Sequence, residues 1–171
     1  MVLTKSELIG ALKNEVRILT HLAGKVDKTS VDYRPTPKQR STMELLKYLT
    51  VMGPSLIRFA KTGAFDPAVW TAAEKANESL NLDQTVAALA AQAGTYESLV
   101  GELSDADLRG EIEMFGQKST RGAFIVNHVL AACAAYRTQI FLYLKACGRD
   151  ELNTMNLWAG MDAPMQQPAE V

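Results

Sequence analysis

The amino-acid sequence predicts an all-α fold, a four-helix bundle with one short extra helix, and three observations carry that reading. Apolar residues recur at steps of three and four along four long segments. Capping signals open these segments, and glycine or proline punctuates the stretches between them. Strand-like alternation is confined to one short candidate, Glu111–Phe115. The 171 residues are 47% hydrophobic and 22% charged, which suits one globular domain with a core of useful size. Residues 1–160 are expected to form that domain and residues 161–171, with Pro164 and Pro168, a poorly ordered tail.

Thr4-Lys-Ser-Glu7 is a capping box, in which hydroxyl and carboxylate each satisfy a free backbone N–H of the first turn. Leu8, Leu12, Glu15, Leu19 and Leu22 follow on one face of a helix that runs to about Val26. Asp27–Gln39 is polar, holds Pro35 and Pro37, and reads as a loop. Ser41-Thr-Met-Glu44 is a second capping box. It opens the stripe Leu45, Leu49, Met52, Leu56 and Phe59, which Gly63 ends. Pro54 inside this stripe predicts a kink, because it lacks a backbone donor and crowds the preceding turn.

Asp66-Pro67 caps a short helix to about Ser79. Asn81 precedes a long helix over Leu82–Leu103, with Val86, Leu89, Ala93, Tyr96 and Val100 apolar. A turn is expected from Ser104 and an irregular or extended connection over Leu108–Lys118. Helix resumes at about Ser119 and continues to Cys147, with Gly148 as the glycine that closes it. This last helix is apolar nearly all round. It must be covered on several sides, by its bundle partners, by the segment Leu152–Trp158, or by a second subunit.

Charge and motif exclude several classes of function. Lys+Arg 18 against Asp+Glu 19 leaves a net charge of -1, without the basic footprint of a nucleic-acid binder. No apolar run is long enough to span a bilayer, and the opening Met1-Val-Leu-Thr lacks the pattern of a secretory signal, so a cytoplasmic setting is expected. Two cysteines make no disulfide framework. Neither a glycine-rich phosphate loop nor a nucleophile elbow occurs. His21 is expected at a helix end, where the dipole favours a cation, and Cys133, among alanines, as a small packing residue.

The candidate site lies on the last helix. His128, Ala132, Tyr136, Gln139 and Tyr143 step by four, four, three and four, so a regular helix places them on one face, and Tyr48 on the second helix is placed to meet them. An aromatic core with satisfied hydroxyls and a ligand pocket are both compatible with that pattern. A metal held by His21, Glu44 and His128 is a weaker alternative.

Two stretches resemble the DinB/YfiT-like superfamily of damage-inducible helical bundles. One is Tyr33-Arg-Pro-Thr-Pro-Lys-Gln-Arg-Ser-Thr-Met-Glu-Leu-Leu-Lys-Tyr-Leu49, and the other is Asn127-His-Val-Leu-Ala-Ala-Cys-Ala-Ala-Tyr-Arg-Thr-Gln-Ile140. The likeness implies an up-down-down-up bundle with a long crossover between the second and third long helices. In that family a divalent metal is held by one histidine on the second helix and a His-x-x-x-His pair on the last. The matching positions here are Tyr48, Ala132 and Tyr136, so all three histidines are missing while Arg137 and Gln139 survive. The expectation is a metal-free protein without a cofactor, a homodimer with a small-molecule-binding or structural role. The alternative is a thiol-dependent S-transferase rebuilt around His128 and Tyr136, with histidine as base.

Overall fold

The computed structural model describes residues 3–114 and 116–162. Helix α1 (Lys5–Ala23) starts at the Thr4–Glu7 capping box, and α2 (Thr42–Thr62) starts at the Ser41–Glu44 box and ends on Gly63 with φ +76°. The short α3 (Pro67–Asn77) is capped by Asp66, and α4 (Leu82–Gly101) by an Asn81–Gln84 box. The helix starts follow the capping chemistry read from the sequence, while α1 ends at Ala23, three residues before the expected end near Val26.

The segment between α4 and the last helix departs from expectation. Ser104 opens a short helix, α5 (Asp105–Arg109), rather than a simple turn, because Asp107 completes another capping box. Strands β1 (Glu111–Met114) and β2 (Gln117–Thr120) then form an antiparallel hairpin, with Gly116 at φ +77° in the turn. Only the first strand was expected, since Gln117-Lys-Ser-Thr120 carries no apolar alternation. Its residues are exposed apart from partly covered Ser119, so pairing with β1 holds it. The last helix therefore begins at Arg121 on a Thr120 cap, as α6 (Arg121–Ile125), passes through a π-helical turn (Val126–Leu130), and continues as α7 (Ala131–Ala146). Gly148 follows with φ +84°. A second π-helical turn, Met155–Ala159, packs on α1 and α7. The expected tail falls mostly outside the described residues; within them, Asp162 pairs with Lys25 at 2.7 Å.

Side-chain partners give the topology. Leu49 meets Gln92, Gly53 meets Tyr96 and Lys61 pairs with Glu102, so α2 and α4 run parallel. Lys5 reaches the Gly101 and Leu103 carbonyls and Lys13 reaches Glu97, so α1 and α4 are antiparallel. Glu15 pairs with Arg137, and the Lys25 carbonyl accepts from Arg149, so α1 runs parallel to the last helix. Each long helix thus has two neighbours, in an up-down-down-up bundle with α3 in the crossover between α2 and α4. Leu12, Leu19, Leu22, Leu45, Leu49, Met52, Ile57, Leu89, Phe124, Ile125 and Leu144 fill the centre. Pro54 is buried within α2, which continues through it as one helix. Among the described residues no helix is long and apolar enough to cross a membrane.

Candidate functional site

The start of α2 and the middle of α7 face each other across a seam, and there Tyr48 and Tyr136 meet. Their ring centres lie 5.5 Å apart at 70°, an edge-to-face contact, and both residues are half-buried. The loop before α2 places the Arg40 guanidinium 4.0 Å from the centre of the Tyr48 ring. That loop is itself tied down. The Gln139 amide donates to the Tyr143 hydroxyl, which donates at 3.3 Å to the Arg40 carbonyl, while Tyr33 stacks edge-on against Tyr143 at 5.4 Å. The result is a cleft of about 440 Å³ lined by Lys38, Gln39, Arg40, Leu45, Tyr136 and Gln139. Burial, reinforced by the neighbouring Tyr136 phenol, pushes the Tyr48 hydroxyl up to about 12, so it stays neutral near physiological pH.

Of the residues expected to form the site, Tyr48, Tyr136 and Gln139 gather here, and Ala132 lies half-buried one turn from Tyr136, packed against the core. His128 does not join them. It is exposed, its ring centre lies 4.5 Å from that of Phe124, and it lines a separate groove with Leu56, Met114 and Lys118. The π-helical turn explains the difference. A turn wider than 3.6 residues inserts about one residue, which breaks the i, i+4 relation assumed between positions 128 and 132.

The proposed trio of His21, Glu44 and His128 is likewise not assembled. Glu44 is engaged in the α2 cap and with Arg34, and His21 sits beside Asn156. Among the described residues no group of three or more His, Cys, Asp or Glu side chains could share a metal ion. Nor do the family's ligand positions suit one. The Ala132 methyl offers no lone pair, the Tyr48 phenol is neutral, and a guanidinium rests on its ring.

Two polar arrangements inside the bundle escaped the sequence reading. Arg137, with a side chain 5% exposed, pairs at 2.9 Å with Glu15, 12% exposed. Burial raises the Glu15 carboxyl while the Arg137 charge opposes that shift. The signal was a glutamate standing in the apolar stripe of α1 and an arginine in an apolar helix, which together ask for each other. Between α2 and α4, the Gln92 amide donates to the Leu49 carbonyl at 2.8 Å and accepts from the Tyr96 hydroxyl at 2.7 Å. Cys133 is buried as expected, and burial pushes its thiol up to about 12, which leaves it a packing residue rather than a nucleophile. His21 stands in the last turn of α1, at the helix end as expected. Burial lowers its basicity while the Asp162 carboxylate, 3.7 Å from its Nε2, opposes that shift, and the Asn156 amide lies 3.1 Å from the same nitrogen.

The likeness to a solved structure supports a DinB-like fold for this helical bundle. A crystal structure of a DinB-like protein from Bacillus subtilis aligns with this chain at a TM-score of 0.66 and 20% identity, covering 85% of this chain and 94% of that one. No protein-family model matches the chain, and no curated protein matches it.

Proposed function

We propose that the chain is a metal-free DinB-like bundle protein that binds a small molecule, or serves a structural role, through the Tyr48–Tyr136 cleft. The observation that carries this is the tyrosine pair itself. Where the resembling family places metal-binding histidines, two phenol rings pack edge to face, and an arginine rests on that of Tyr48. The cleft keeps a binding shape, about 440 Å³ with Lys38 and Arg40 on its wall, while a base and nucleophile for transfer chemistry are not gathered in it. A cytoplasmic setting and the lack of a nucleic-acid partner belong to the same reading, and the second rests on the near-zero net charge.

Elemental analysis of the purified protein tests the metal-free part. The expected outcome is a substoichiometric content of zinc and nickel, with a melting temperature unmoved by either ion. About one ion per chain, removed by a chelator together with stability, would overturn the reading. Thermal shift with low-molecular-weight thiols, expected to be silent, tests the departure from transferase chemistry.

The same reading includes a homodimer. Leu142 on α7 is 58% exposed and Trp158, in the turn packed beside it, is 65% exposed; burying such side chains favours self-association.

A further inference from the structure

Helix α3 is an anomaly. It contains Val69, Trp70, Ala72 and Ala73, yet none of its residues is buried. It is held to α2 by rings, since Trp70 lies 6.1 Å from Tyr48 and 5.8 Å from Phe65, and Phe65 lies 6.3 Å from Phe59. Its far end is pinned by Asn77 donating to Thr50. Between α3 and α2 the rings of Phe59, Phe65 and Trp70 line a half-open cavity of about 320 Å³. That volume lies in the range of small-ligand sites, which are commonly apolar with one or two placed polar groups.

The polar groups at this cavity are few. Arg58, one helical turn before the α2 terminus, lines it and is exposed. Among the described residues its guanidinium makes no hydrogen bond or ion pair; only its backbone carbonyl is used, by Thr62. Asp66 also lines the cavity, but its Oδ1 accepts from the Ala68 and Val69 N–H groups, so its charge is taken up by the N-terminus of α3. Thr62 is turned to the Arg58 and Ala64 carbonyls. A wall of three rings with a single unpaired cation is complementary to an apolar body that carries one negative charge.

We propose that the cavity between α2 and α3 binds a small apolar carboxylate, its hydrocarbon part against Phe59, Phe65 and Trp70 and its carboxylate on Arg58. The site is distinct from the Tyr48–Tyr136 cleft and shares no lining residue with it.

Trp70 is one of two tryptophans, so Trp158→Phe leaves it the only indole reporter. In that background, 4-phenylbutanoate is expected to change the emission saturably, and the neutral 4-phenylbutanamide to bind about tenfold more weakly. Arg58→Gln is expected to bring the carboxylate down to the level of the amide and leave the amide unchanged, while Arg58→Lys retains part of the difference. Circular dichroism and melting temperature establish that each variant is folded. Equal binding of acid and amide, an Arg58→Gln variant with unchanged affinity, or no saturable response at millimolar probe would each overturn the proposal. So would loss of the response in Tyr136→Ala alone, which would place the probe in the tyrosine cleft. Light scattering adds one more arm. If Phe65→Ser splits a dimer and the probe fails to bind the parent, a second copy of the chain covers the cavity and the proposal fails.

Discussion

Gly53 shows how closely two helices approach when one residue has no side chain. A Cβ at this position would lie 1.8 Å from the Tyr96 hydroxyl, which is fully buried and already committed to Gln92. Gly53→Ala is therefore expected to destabilise the fold by about 2–3 kcal/mol, read as a lower urea midpoint with an unchanged slope. The Glu15–Arg137 pair makes a different demand. Removing one partner leaves the other charge buried, so Arg137→Met or Glu15→Leu alone should cost about 3–5 kcal/mol, and the double substitution far less. A double-mutant cycle by urea denaturation measures that difference. Asp27 follows α1, and its Oδ1 accepts from the Thr29 hydroxyl at 2.6 Å and the Thr29 N–H at 2.9 Å. Those bonds hold its carboxyl at about 2, below the ordinary 3.8. A depressed acid stabilises the fold above its unfolded value and loses that contribution as pH falls through the folded one. Asp27→Asn should accordingly flatten the stability profile between pH 3.8 and 2, measured by urea denaturation at successive pH values.

At the scale of elements, legibility tracked the chemistry of the ends. Thr4, Ser41, Asp66 and Asn81 each place a side-chain acceptor before an apolar periodic run, and each begins a helix in the structure. Strand β2 was hidden because its stability comes from its partner and not from its own pattern. The π-helical turn was hidden for a similar reason. Val126-Asn-His-Val-Leu130 scans as ordinary helix, and nothing local in it announces a wider turn. That single insertion decided how much of the candidate site could be read. C-terminal to it, Ala132, Tyr136 and Gln139 keep their spacing relative to one another. His128 lies within it and sits in a groove of its own. The Tyr48–Tyr136 contact was legible because both residues lie on regular helix.

At the scale of the molecule, size-exclusion chromatography with light scattering tests the dimer: a mass near twice 18.7 kDa is expected at micromolar concentration. Leu142→Glu should bring it to 18.7 kDa, because a buried charge without a partner opposes association. The crossover also sets the order of assembly. Since α1 lies beside α4 and the last helix, Glu15 meets its arginine across 122 residues of chain. A nascent polypeptide emerging from the ribosome as far as α4 can bring three long helices together, but its Glu15 still faces water. Docking of the final helix is what closes the long loop, strips that carboxylate of solvent and supplies its counter-charge in the same event. A chain that lacks the last helix thus retains a hydrated anion in the groove that should receive it.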